Sequence, residues 1–582
     1  MVGKNIDITT VVDQDRMAAE ISEYWRLWDS QRSTKIQEWK ELRNFLYATD
    51  TKTTSNNLLP WSNTTTTPKL TQIYDNLHAN YFAALFPRRE WLRWVAMGKG
   101  ENLEEKKKAV ESYMSSKLRA SKFEDVASQL LLDYISYGNC FASVEWVNDY
   151  SIKDSGYVNH YTGPRVVRIS PFDIVFDPTA PSFRETPKVV RSLVTLGEFR
   201  RRIDTENDSE YAEAVFGKMM SARAAVNDSG SNTTFNKSEG FVADGFGSIQ
   251  QYYGSNYVEV LTFYGDIYDQ DSGKYLSDRI VTVVDRAYVI QSIENPSWLG
   301  SAPIQHAGWR LRPDNLWAMG PLDNLVGLQY RIDHLENLKA DVFDQIAYPI
   351  LKIKGEVEDF EFQPAERIYI GEEGDVGYLA PDTTALNADF QISELERRME
   401  EMSGAPKSAM GIRTPGEKTA FEVSTLNTAA NRIFEHRTAH LERVFIEPLL
   451  NTMLEAGRRN MINAESVKVF DPEIGLEFFQ EVTKADLQQE GILMPLGARH
   501  FAERARRVQN INNLYQIKAS DPQVGAHISG KRMAQLITEE LGEEGLFGEN
   551  VAIEEQFETL RRQQDLEANM EEELANQQEL GV

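Results

Sequence analysis

Cysteine is nearly missing. Cys140 is the single one in 582 residues, which excludes an intramolecular disulfide framework and points to a reducing compartment. Long apolar runs are missing too. No stretch reaches the eighteen or so residues that a membrane span needs, and the first ten residues do not resemble a secretory leader. The expectation is a soluble intracellular protein, or a particle assembled inside a cell. Basic charge is scarce as well: 62 Lys and Arg stand against 89 Asp and Glu, a net −27. That sign argues against wrapping nucleic acid on an outer surface, though not against nucleic acid passing by.

Catalytic signatures are absent: there is no Gly-x-Ser-x-Gly and no Cys-x-x-Cys element. Cys140 begins an apolar strand-like run and reads as buried rather than nucleophilic. Carboxylate pairs such as Asp341 and Asp344, or Glu400 and Glu401, are what an acidic chain yields by chance. Two near-motifs fall short. Gly411 to Thr419 is one residue from the phosphate-loop pattern, with Glu417 as the extra residue. A helix rather than a strand precedes it, and a carboxylate stands where the anion would lie. His436 and His440 have i, i+4 spacing but lack the Glu of a zinc-protease helix. The residues therefore point to no enzyme, no cofactor and no metal.

What is present is periodic. A chain of this length has room for two to four structural units. Ile21, Trp25, Trp28, Trp39, Leu42 and Leu46 have helical spacing, predicting amphipathic helices from about 15 to 47. A Thr/Asn-rich loop covers 49–68, a helix 69–86, and two more 102–137, stopped at Gly138. Short β-like runs follow at Phe141–Val147, Tyr157–Tyr161, Arg165–Ile169 and Ile174–Phe176. Residues 205–256, rich in Ser, Asn and Gly, read as a surface loop. Strands resume at Val258–Phe263 and Ile280–Val284, with a turn at Asp271–Lys274.

The most informative pattern begins at Gly320-Pro321, which should open a helix ending before Pro349. Leu322, Leu325, Leu328, Ile332, Leu335, Val342 and Ile346 form a heptad-like seam in which Lys339 is the one polar member. A β-like insert follows, with Ile350–Ile353, Arg367–Ile370 and Tyr378-Leu379. A second seam comes at Ala388, Ile392, Leu395, Met399 and Met402. This is a helical hairpin carrying a small cap. It delivers the chain into a loop, 404–416, that holds Lys407 and Arg413 and no carboxylate. Thr414-Pro415-Gly416-Glu417 has capping-box spacing, so a long amphipathic helix should start there, with Pro448 kinking it. Val467–Phe470 and Leu476–Val482 read as strands, and helices are expected near 498–518 and 530–541. The acidic tail beyond Thr538 reads as either a self-packing helix or a frayed end.

Several passages resemble, in order, the portal or head-to-tail connector proteins of tailed bacteriophages, most closely those of short-tailed phages. They are Leu85-Phe86-Pro87 with Trp91–Trp94; Asp133–Asn139 with Val144-Glu145; Ile169–Asp173 to Asp177-Pro178; Trp309-Arg310 through Gly320-Pro321-Leu322 and the Gln329–Asp341 helix; Lys418–Val423; and Pro495–His500. Together they cover roughly 15 to 520. Each is short, and their order around a helix–clip–helix hairpin carries the resemblance. The loop at 205–256 has no counterpart in the family.

The resemblance implies an α+β, mainly helical portal fold and a dodecameric ring around a DNA channel. It implies a wing at 1–320, stem helices at 321–348 and 386–403, a clip at 349–385 and a tunnel loop at 404–416. A long kinked wing helix would take 417–461, a wing β segment 462–497, and a crown with acidic tail 498–582. Implied partners are double-stranded DNA read without sequence specificity, the terminase large subunit, major capsid and scaffolding proteins, and tail adaptor proteins. The implied place is the capsid vertex of the virion, assembled in the bacterial cytoplasm. Candidate DNA-channel residues are Lys407, Arg413 and Lys418 at the loop and Lys339, Arg397 and Arg398 on the stem. Lys352, Lys354, Glu356, Glu358 and Arg367 are candidates for docking on the clip. For the loop cations the alternative is pairing with neighbouring subunits' carboxylates, and for the clip charges ordinary solvated surface. The competing functional classes are a packaging ATPase using Gly411–Thr419, and a tail adaptor or scaffold.

Overall fold

Trp25 and Trp28 lie on the face of the first helix that periodicity assigns to a core, and both are buried. They belong to a computed structural model that describes residues 14–47, 63–86, 91–98, 103–153, 156–205, 216–223, 256–269, 273–300, 302–347, 351–355, 369, 374–379, 383–403, 434, 436–462, 464–471, 476–496 and 559–560. In chain order the elements begin with α1 (Gln14–Gln31), α2 (Ser33–Tyr47), α3 (Lys69–Leu85), β1 (Leu92–Ala96), α4 (Leu103–Ala120) and α5 (Phe123–Ser136). Next come β2 (Asn139–Lys153), β3 (Gly156–Ile169), β4 (Ile174–Phe176), β5 (Lys188–Thr195), α6 (Leu196–Thr205) and a helix at 216–223, α7. Strands β6 (Tyr257–Asp269), β7 (Lys274–Val284), β8 (Tyr288–Glu294), β9 (Ile304–Gly308), β10 (Arg310–Arg312) and β11 (Asn315–Met319) lead to α8 (Val326–Ala347). Strands β12 (Leu351–Lys354) and β13 (Asp375–Tyr378), a 3-10 turn (Thr383–Ala388) and α9 (Asp389–Ser403) follow. The described chain closes with α10 (436–460), β14 (Glu465–Asp471), β15 (Leu476–Val482), α11 (Lys484–Leu487) and β16 (Gly491–Pro495).

Among the described residues helix outweighs strand, 50% against 31%, and no sheet closes into a barrel. Among the described residues every strand pairing is antiparallel. The chain divides into two compact units, Met1–Ala83 with Lys122–Ala456, and Ala84–Ser121 with Gly457–Val582.

In the first unit a five-stranded sheet runs in the order β4-β5-β6-β7-β8. Alternation sorts its side chains onto two faces. Val189, Leu261, Phe263, Val281 and Val283 meet Met17, Ile21, Trp25 and Trp28 of α1. Val194, Val258 and Val260 form a separate cluster with Phe199 of α6 and Met219 of α7. Each such side chain, fully buried, contributes about 1.5–3 kcal/mol. The β7–β8 turn puts Asp285 and Arg286 at φ 51° and 56°, with Ala287 N–H on the Val284 carbonyl. That is the turn a hairpin's twist favours, but it is strained for non-glycine residues. Buried ion pairs hold both: Asp285 to Arg223 at 2.9 Å and Arg286 to Glu259 at 2.8 Å.

A second sheet, β3-β2-β9, corrects one expectation. The separate strands expected at 157–161 and 165–169 are one strand, β3, running through Gly163-Pro164. Pro164, opposite Trp146, is tolerated because β3 lies at the edge, where a missing N–H breaks no inner ladder. The two sheets' aromatic residues share a core in which Trp39 and Trp317 each lie about 5.5 Å from a neighbouring ring.

In the second unit β1 pairs with β16 and β14 with β15. Trp94 packs so closely on Gly491 that a Cβ there would lie 2.3 Å from its indole. Glu111 accepts the Trp94 N–H, and Lys117 pairs with Glu465 at 2.5 Å. Residues 84–121 thus share a unit with 457–496 rather than with the rest of the first 320 residues.

Candidate functional site

The hairpin of α8, β12–β13 and α9 is the candidate site, and three sequence passages meet at its root. Gly138, at φ 67°, approaches the backbone of residues 319–320 so closely that an added Cβ would fall 2.4 Å from Gly320 N. Only glycine combines that conformation with that approach. Beside it, Asn139 donates from Nδ2 to the Tyr137 and Ala318 carbonyls, and its Oδ1 accepts the Ala318 N–H. His306 completes the set: its Nε2 lies 3.1 Å from Asn139 Oδ1, and it stacks on Phe141. Burial, reinforced by nearby Lys188, depresses His306 to about 3, so it is neutral and donates that bond. The Ser170–Asp173 turn is gripped by Arg32, whose guanidinium donates to the carbonyls of Pro171, Phe172 and Ile174.

The helix expected from Gly320-Pro321 starts later, at Val326. Asp323 takes the Gly320 N–H, and Leu325 N–H bonds Leu322 O, so a tighter turn precedes it. Over 22 residues α8 spans about 33 Å. Its seam is buried at Leu322, Leu325, Ile332 and Leu335, and gives way to exposed apolar surface beyond: Leu338, Phe343 (53% exposed) and Ile346 (43%).

The opposite face was not anticipated. Gln329, Asp333, Asn337, Asp341 and Asp344, three or four residues apart, hold segment 63–70, which leads into the first turn of α3, by its backbone. Leu70 N–H donates to Gln329 Oε1, Thr67 N–H to Asp333 Oδ1, Thr65 N–H to Asn337 Oδ1 and Asn63 N–H to Asp341 Oδ1. In return Gln329 and Asn337 donate to the carbonyls of Thr67 and Thr65, and Asn63 Nδ2 reaches Asp344. The side-chain ladder does for this strap what a neighbouring strand would do, every second residue being served. The acid pair Asp341 and Asp344, read as a chance of composition, has this role. The signal was there in a polar i, i+4 stripe opposite an apolar seam, with Asn63 and four consecutive threonines upstream.

Helix α9 returns along α8. Ala388, Ile392 and Met399 of its seam are buried, while Met402 and Phe390 (81%) are exposed. Lys69 pairs with Glu400 at 2.7 Å, tying α9 to the start of α3. The three stem cations proposed for the channel, Lys339, Arg397 and Arg398, are all engaged within the chain. Lys339 lies 2.5 Å from Asp389 and 3.5 Å from Glu336; Arg397 meets Glu394 and Glu401; Arg398 meets Glu394. Hydrogen bonding to Asp389 raises the Lys339 pKa, and bonds to both arginines hold Glu394 below the usual carboxylate range.

At the cap, β12 pairs with β13 and presents Lys352 and Lys354 to solvent. Glu356, Glu358 and Arg367 lie outside the described residues, as do the strand expected at Arg367–Ile370 apart from Tyr369, the loop at 404–416 with Lys407 and Arg413, and Lys418. The helices expected near 498–518 and 530–541 lie outside them too, with nearly all of the acidic tail. Within 205–256 the described part holds a helix, α7.

In α10 the irregularity expected at Pro448 is a π turn just before it, Glu442–Ile446, where the Glu447 N–H reaches Glu442 O. Pro448 has no N–H for the carbonyl a turn back, and a widened turn absorbs that loss. His440 is held below its usual pKa by burial and by Arg443 and Arg437, a setting hostile to a cation. Among the described residues no group of three or more His, Cys, Asp or Glu could hold a metal ion. Cys140 is buried beside the Ala307 carbonyl, and burial pushes its thiol well up. Among the described residues no helix is long and apolar enough to cross a membrane. No protein-family model and no curated protein matches the chain.

Proposed function

We propose that this chain is a portal-type protein: a structural ring at one capsid vertex through which double-stranded DNA is packaged by a separate terminase motor and later ejected. The observation that carries the reading is the seam-bearing hairpin left incomplete in a single chain. Its root is buried, while Leu338, Phe343, Ile346 and Phe390 further along remain uncovered. Exposed apolar surface along one hairpin marks an interaction site, and a heptad-like helix finds cover in copies of itself. The intrachain neutralisation of Lys339, Arg397 and Arg398 supports a wall that DNA slides past, because each phosphate neutralised by a free cation adds affinity and so friction. Backbone contact with DNA then falls to the cationic loop of Lys407 and Arg413, with Lys418 beside it. The exposed Lys352 and Lys354 are the cap's contribution to docking the terminase or a tail adaptor. Negative-stain imaging of the purified full chain tests this. The expected result is a twelve-fold ring with a hole as wide as a duplex; a monomer under all assembly conditions overturns it.

A further inference from the structure

The face of α8 that holds the strap carries a titratable group with a one-sided environment. Asp333 is 3% exposed. Its Oδ1 accepts the Thr67 N–H at 3.0 Å and the Gln329 Nε2–H at 2.8 Å, while its Oδ2 is buried with no hydrogen-bond partner. Among the described residues no cation compensates it. One turn away in either direction stand the uncharged amides of Gln329 and Asn337. The strap's one charged residue, Lys69, is turned to Glu400 of α9 at 2.7 Å. Asp341 and Asp344, further along the same face, share its sign and bind Asn63. Arg331 and His334 are exposed, and Glu336 pairs with Lys339.

An ionised carboxylate with one oxygen cut off from water and no counter-charge is costly. Protonation removes that cost and leaves Oδ1 free to accept the same two bonds. We propose that segment 63–67 is a proton-operated clasp on α8, shut while Asp333 is protonated and lifting as it ionises, because the bare Oδ2 gains water only when the strap moves away.

Burial raises Asp333 from 3.8 to about 6. The folded chain therefore holds this proton more tightly than the unfolded chain does. The clasp's stabilisation is complete below about pH 4 and is lost as pH rises through about 6. Lifting the strap would strip the root of α8 of its bonds to residues 63–70 and loosen the hairpin where it is anchored. The contact lies within one chain, so the inference stands apart from whether copies assemble.

Hydrogen exchange on the full chain, corrected for intrinsic rates, tests it at the Thr65, Thr67 and Leu70 amides. Their protection should fall at least about tenfold between pH 5 and pH 7.5, with a midpoint near 6, while β6–β7 amides keep theirs. Asp333→Asn keeps an acceptor and loses the charge, so its strap should stay protected at both pH values. Equal protection of the parent strap at the two pH values, or the same fall in Asp333→Asn, overturns the clasp. Should Asp333→Asn not fold, Asn337→Ala serves beside the parent. It loses the Thr65 bonds and should lower protection at both pH values while keeping the tenfold ratio, and a ratio near one overturns the proposal.

Discussion

The two halves of α8 differ more than two halves of one helix usually do. From Val326 to Asn337 one face is buried against apolar neighbours and the other is bonded residue by residue to the strap. From Leu338 on, Ile346 of the seam and its flanking neighbours Leu338 and Phe343 stand in solvent, and Val342 is half-buried. The first half is finished by its own chain. The second half keeps the strap only through Asn63 on Asp341 and Asp344 and leaves much of its apolar side uncovered, and the difference marks where association would begin.

The most damaging way to break that contrast is at the junction anchoring the finished half. Gly138→Ala places a Cβ against the Gly320 backbone at a positive φ, and is expected to cost at least about 3 kcal/mol or to prevent folding. Chemical denaturation reads it; a loss under 1 kcal/mol would show the root to be plastic.

A paired truncation sharpens the contrast directly. Ile332→Ala, in the buried half, should cost about 3 kcal/mol, and Ile346→Ala, 43% exposed, under about 0.5 in the unassembled chain. Equal midpoint shifts would mean that the exposed half is covered in solution even at low concentration.

The smallest effect concerns the base of the junction. His306 titrates near 6.5 when unfolded and at about 3 when folded, so the unfolded chain takes its proton first on acidification. Stability is therefore complete above about 6.5 and is lost as pH falls toward 3, with roughly 2 kcal/mol gone by about pH 5. Hydrogen exchange of β2 and β9 amides should show it, and His306→Gln should flatten the slope. The sign is opposite to that at Asp333: acid loosens the junction under the hairpin and tightens the strap upon it.

Most of the fold was legible because its signals are local. Helical spacing marked α1 to α5 and both hairpin helices within a few residues, and local pattern marked β4, β6 and β7 of the five-stranded sheet but not β5 or β8. Pro164 broke β3 in the reading because tolerance of proline depends on whether a strand is at an edge, which no local pattern states. Pro448 marked the right place in α10, while the form of the distortion, a π turn, was set by packing around it.

By itself, the sequence determined where most of the helices and several of the strands lie, which of their faces are apolar, that one cysteine builds no disulfide framework, and that a seam-bearing hairpin is followed by a cationic stretch. These follow from side-chain type and spacing. The tertiary structure decided which of those faces one chain covers, that Lys339, Arg397 and Arg398 are paired within the chain, that Asp341 and Asp344 hold a strap rather than idle on a surface, and that Asp333 lies where its charge is costly. Each depends on segments brought together from hundreds of residues apart, where burial and partner, rather than residue type, set the energy.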